Sequence, residues 1–113
     1  MTTLYGISNC NTVKKAKDWL QDKNIDFQFH DFRKQGLSAE SLESFEAAVG
    51  WEKLLNKQST SWRKLTDDQK ANISKRTALQ FMLETPTLIK RPVLDTGEKL
   101  IIGFKADIYQ KEL

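Results

Sequence analysis

Residues 3–20 read TLYGISNCNTVKKAKDWL, and the reading of this stretch decides the fold. Leu4, Tyr5 and Ile7 favour extended structure, which predicts a short buried strand over residues 3–7. Ser8, Asn9, Cys10 and Asn11 follow as a turn rich in residues that cap helices. Val13, Ala16 and Leu20 then recur at helical spacing, with Trp19 beside them and Lys14, Lys15 and Asp18 facing elsewhere. Asn24 suits the helix stop, because asparagine tolerates the left-handed conformation. Ile25, Phe27 and Phe29 alternate with Asp26, Gln28 and His30, a strand signature. Strand, helix and strand in this order predict a βαβ unit with parallel strands and a right-handed crossover.

After Gly36 the periodicity becomes helical. Leu42, Phe45 and Val49 mark a helix that stops at Gly50, and WEKLLN gives a short second one. Thr66 and Gln69 stand at capping-box spacing in TDDQKANI. Leu79, Met82 and Leu83 are read as the apolar face of a further helix, which must end before Pro86. Gly50 and NKQSTS are joints within this helical segment rather than domain linkers. The chain then returns to strands: residues 87–89 read as a short extended run and RPVLDTGEKLII as a hairpin around residues 95–98, with a closing helix over 104–112. The expected fold class is α/β with a mixed sheet, in one domain of residues 1–113. Within it, 1–34 is a βαβ unit, 38–84 a helical insertion and 87–112 a ββα unit.

With 39% hydrophobic and 29% charged residues, the composition is that of a globular protein. The net charge of +3 comes from 18 basic and 15 acidic residues that are interspersed, so it marks no nucleic-acid partner. No apolar run approaches the roughly 18 residues of a membrane span. The first residues lack the basic-then-apolar pattern of a secretion signal, so a cytoplasmic location is expected. One cysteine and one histidine make no internal disulfide and no metal-ligand spacing, so no metal is expected.

Cys10 is the side chain whose placement asks for a function. At the carboxyl end of a strand, unpaired N–H groups and the helix dipole favour an anion by about 0.3–1 kcal/mol. A free thiol titrates near about 8.5, so only about 3% is thiolate at neutral pH. A hydrogen bond from Thr12 or its backbone N–H, and a cation from Lys14 or Arg91, would raise that share. The competing reading is a small core filler, since free cysteines are among the most buried residues. His30 alternates with Phe27 and Phe29 and is read as structural or surface. Trp51 and Trp62 are read as core or rim, and Arg63 as either a surface charge or a second substrate cation.

The segments LYGISNCNTVKKAKDWLQDKNIDFQFHDFRKQGL, GWEKLLNK, SWRKL and PTLIKRPVLDTGEKLIIGF together resemble the bacterial ArsC/Spx family over residues 3–109. The likeness is greatest to its YffB-like branch of ArsC-related reductases. The resemblance implies a thioredoxin-like fold with a helical insertion. It implies that Cys10 is the nucleophile, Arg91 a substrate-binding arginine, and Pro92 a proline whose peptide bond is cis beside the thiol. Other family positions differ here. A second oxyanion arginine corresponds to Asn56, a third falls around Ile102 and Gly103, and a histidine of the arsenate enzymes corresponds to Gly6. The second cysteine of the Spx redox switch corresponds to Val13.

The expected function is therefore a cytosolic monothiol reductase in which Cys10 attacks a disulfide or another oxidised substrate. Arg91 would orient an anionic group, and Asn9, Asn11 and Thr12 would shape the turn or donate hydrogen bonds. With no resolving cysteine, a second thiol must release the product; glutathione, negatively charged, suits the basic surround of Lys14, Lys15 and Arg91. No bound cofactor is expected. Arsenate reduction is the alternative within the same class, lacking two of three arginines. A Spx-like regulator that docks on RNA polymerase or another protein is the alternative outside it.

Overall fold

The computed structural model describes residues 2–113. Its first strand, β1 (Thr3–Gly6), buries Leu4 and Gly6 and leads through the Cys10 turn into helix α1 (Asn11–Asp22). Val13, Ala16 and Leu20 are fully buried along one face of α1, as the spacing predicts. Asn24 closes the helix with φ 57°; its N–H reaches Gln21 O and that of Ile25 reaches Leu20 O, both at 3.0 Å. This paired arrangement is a Schellman stop. It uses Ile25 for the helix end, so strand β2 (Gln28–Asp31) begins later than the alternation from Ile25 predicts. A short helix α2 (Phe32–Gln35), not foreseen in the sequence, follows it.

The chain divides into two units: one runs to Gln35 and resumes from Arg91 to Leu113, and the other is Gly36–Lys90. The second unit is helical: α3 (Ala39–Val49), α4 (Trp51–Leu54), α5 (Thr60–Arg63), α6 (Asp67–Ala71) and α7 (Lys75–Glu84). Ser38 caps α3, Gly50 stops it with φ 87°, and Thr66 with Gln69 forms the expected capping box of α6. Leu42, Phe45, Leu54, Leu55, Ala78, Met82, Leu88 and Ile89 form its interior, each at most 2% exposed.

Three local expectations change here. Leu83 is 38% exposed, because Ala78 and Met82 set the inward face of α7. The polar NKQSTS segment is not only a joint, since Ser59 caps α5 by accepting from Trp62 N–H at 3.1 Å. Residues 87–89 are not a strand. Pro86–Leu88 coil into a 3-10 turn, and Ile89 makes an isolated bridge with Leu55, flanked by Lys90 N–H to Leu54 O at 2.7 Å.

The first unit resumes with strands β3 (Val93–Asp95) and β4 (Leu100–Ile102) and helix α8 (Ala106–Glu112). Gly97, at φ 92°, serves the hairpin turn, where Asp95 Oδ1 accepts its N–H at 2.8 Å. The strand order is β2-β1-β3-β4, with β1 and β2 parallel and the other two pairs antiparallel. This is the expected mixed sheet of a thioredoxin-like α/β fold. Its core joins Leu4, Val13, Ala16, Leu20, Leu94 and Tyr109, all fully buried, with Cys10 packed at its margin.

Candidate functional site: the Cys10 turn

Cys10 occupies the N-cap of α1 with an extended backbone, φ −99° and ψ 124°. Its N–H donates to Ile7 O at 3.4 Å and its carbonyl accepts the first helical bond, from Lys14 N–H at 3.0 Å. The thiol closes no capping hydrogen bond of full geometry. Its ionisation nonetheless responds to its neighbours. Partial burial pushes the thiol pKa up, but Val13 N–H, the Arg91 side chain and Thr12 N–H favour the thiolate and bring it below its ordinary value. The charge of Arg91 adds to that effect.

The sulfur is only partly buried, so a thiol whose ionisation is eased also has access to solvent. Thr12 acts through its backbone rather than through a hydroxyl bond. Asn9, Asn11, Thr12 and Lys14 are all exposed. Arg91 enters the site because it leads into β3, the strand paired with β1. The Arg91–Pro92 peptide bond is cis, as the resemblance implies, and Pro92 O accepts from Gly103 N–H at 2.8 Å.

The remaining expected residues fall elsewhere. Arg63 is exposed on α5 in the second unit. Asn56 lines an open cavity of about 420 Å³ in that unit, with Trp51, Lys57 and Lys90 around it. Trp62 is half-buried, with Lys57 Nζ and Lys70 Nζ at 5.6 and 5.8 Å from its ring centroid. His30 packs in an aromatic group, its ring 5.0 Å from that of Tyr5 and 6.2 Å from that of Phe32.

Sequence reading missed Asp31 and the role of Gly6. Asp31 is 4% exposed and bonds to Ser8 in the Cys10 turn. The available signal was an acid at the end of an apolar alternation, immediately before a new helix. Gly6 faces Val13 so closely that no side chain fits between them. Among the described residues no cluster of three or more His, Cys, Asp or Glu is placed to hold a metal. No described helix is long and apolar enough to cross a membrane.

A partly exposed cysteine at the head of α1, beside a mixed sheet whose third strand follows a cis-proline, is the arrangement of an ArsC-type thioredoxin-like protein. The chain belongs to the ArsC family, whose model matches residues 5–112. An uncharacterised protein of Haemophilus influenzae is 48% identical over 110 residues, 97% of this chain and 96% of that one. The solved structure of the YFFB (PA3664) protein superposes with a TM-score of 0.95 at 41% identity, covering 100% of this chain and 99% of its own. An arsenate reductase (ArsC) related protein from Brucella melitensis matches at TM-score 0.80 and 47% identity, covering 98% and 92%. The global transcriptional regulator Spx of Lactiplantibacillus plantarum is 28% identical, over 95% of this chain and 82% of that one.

Proposed function

We propose that the protein is a monothiol reductase in which Cys10 is the nucleophile and a glutathione-type thiol is the co-substrate. The observation that carries this reading is the place of one partly exposed sulfur at the N-cap of α1, where Val13 N–H, the Arg91 side chain and Thr12 N–H favour its thiolate. In the first step the Cys10 thiolate attacks one sulfur of a substrate disulfide. A Cys10–S–S–substrate bond forms, the substrate's own S–S bond breaks, and its other sulfur leaves as a thiolate and takes a proton from solvent. The chain has no second cysteine, so an external thiolate must attack the mixed disulfide. That attack restores the Cys10 thiolate and carries the first substrate sulfur away in a new disulfide. A second external thiolate attacks that new disulfide and frees the first substrate sulfur, so two external thiols end as one disulfide and the substrate disulfide gains two electrons. Arg91 serves both steps by stabilising the thiolate as nucleophile and as leaving group.

The test is glutathione-coupled reduction of a small disulfide and of a glutathionylated protein, followed with the full chain and with Cys10→Ser. Turnover that disappears in the variant supports the reading, and equal rates for both proteins refute it. Arsenate, assayed in parallel with glutathione and glutaredoxin, is expected to be a poor substrate, because Asn56 and Gly6 stand where the arsenate pattern has arginine and histidine. The likeness to a transcriptional regulator favours a second reading, a partner-binding protein without turnover. Stoichiometric capture of RNA polymerase by Cys10→Ser as well as by the native chain, with no reductase activity in either, would establish that alternative.

A further inference from the structure

Among the described residues Asp31 is the one buried side chain that carries a charge, at 4% exposure. It ends β2 opposite Gly6 in the parallel register. Its two carboxylate oxygens serve different segments. Oδ1 accepts from Arg33 N–H at 2.8 Å and Lys34 N–H at 3.3 Å, holding the start of α2. Oδ2 accepts from Ser8 N–H at 3.3 Å, and the Ser8 hydroxyl also donates to the carboxylate. Ser8 opens the turn that Cys10 ends. Within that turn the hydrogen bond from Cys10 N–H to Ile7 O is long, at 3.4 Å, and Ser8 and Asn9 are exposed. A turn held so lightly from inside depends on an outside tether for its shape.

We propose that Asp31 is a positioning residue for the thiol: by holding Ser8 it fixes the β1–α1 turn and aims the Cys10 sulfur at Thr12 N–H, Val13 N–H and Arg91. The inference rests on the reading of Cys10 as the reactive group. A carboxylate is required because both of its oxygens accept, whereas an amide offers one acceptor and one donor group. In Asp31→Asn the single oxygen can still serve Arg33 and Lys34, but the NH2 then faces the backbone N–H of Ser8, donor against donor. The substitution therefore loosens the turn selectively.

The experiment measures alkylation of Cys10 by iodoacetamide against pH in the folded full chain, alongside circular dichroism. In Asp31→Asn the midpoint moves up and the rate at neutral pH falls about five- to tenfold, the thiolate share lost when the donors are misaligned. Ser8→Ala keeps the N–H bond and loses the hydroxyl bond, so it gives a smaller change of the same sign. The sign is decisive: simple removal of a negative charge near a thiolate would move the midpoint down. A folded Asp31→Asn with an unchanged or lowered midpoint overturns the proposal. If that variant does not fold, an unchanged profile in Ser8→Ala overturns it. Alkylation reads the thiol without turnover, so a failure here is distinct from a Cys10→Ser variant that retains reductase activity.

Discussion

Gly6 on β1 and Val13 on α1 approach so closely that a β-carbon on Gly6 would lie 2.7 Å from Val13 Cγ2. Contacts that short do not occur between relaxed side chains, and valine's branched Cβ leaves it little freedom to turn aside. The backbone N–H of Val13 also favours the Cys10 thiolate. Any residue larger than glycine at position 6 must therefore shift the first turn of α1 and the thiol site with it. A histidine, which the resemblance to arsenate enzymes would put here, has no room beside Val13.

Gly6→Ala is expected to lower stability by about 1–3 kcal/mol in urea unfolding, the usual cost of overpacking. Adding Val13→Ala should recover part of that loss, so the pair couples favourably in a double-mutant cycle. Strict additivity of the two losses would show that the close approach is not what makes glycine necessary.

Arg91→Ala should raise the midpoint of Cys10 alkylation toward the free-thiol value of about 8.5, and Arg91→Lys should retain part of the effect as a point charge. The same shift has a stability consequence. A thiol whose folded pKa is lowered adds stability that is fully present above the unfolded pKa and lost as pH falls through the folded one. The stability advantage of the native chain over Cys10→Ser should therefore be larger above about pH 9 than near neutral pH. An advantage that shrinks as pH rises would contradict a stabilised thiolate.

Burial pushes the Asp31 carboxyl up, but Arg33 N–H, Lys34 N–H and Ser8 hold it below the usual carboxylate range. Its contribution is present above the ordinary value of about 3.9 and is lost as pH falls through the lowered folded value. Urea unfolding at several pH values should show native protein and Asp31→Asn separated near neutrality and converging in acid. A separation that stays constant down the acid limb would mean that the carboxylate's charge is not what stabilises the fold.

Tyr109 is fully buried, with Trp19 and Phe104 edge-on at 5.4 and 4.8 Å, and its hydroxyl has no hydrogen-bond partner among the described residues. Burial pushes its pKa far up, so it stays neutral. Tyr109→Phe keeps the ring packing and removes an unsatisfied hydroxyl, so stability should hold or rise by about 1 kcal/mol. A drop of that size in thermal unfolding would reveal a bond that the hydroxyl makes in solution.

What the amino-acid sequence determined by itself is the set of features that depend on neighbours within one or two helical turns. Val13, Ala16 and Leu20 define the buried face of α1 by spacing, Asn24 ends it by tolerating φ 57°, and Thr66 with Gln69 starts α6. Cys10 was legible as a candidate for the same reason, since its place at a helix head follows from the local pattern. The tertiary structure alone decided which groups surround the sulfur and which residues tolerate no change. Asp31 lies 23 positions from the Ser8 it holds, and Arg91 reaches Cys10 only because β3 pairs with β1. Gly6 reads as an ordinary strand glycine until α1 packs across it. Local propensity acts through a few adjacent torsions, whereas a buried carboxylate, a paired cation and a missing β-carbon take their meaning from strands brought together across the whole chain.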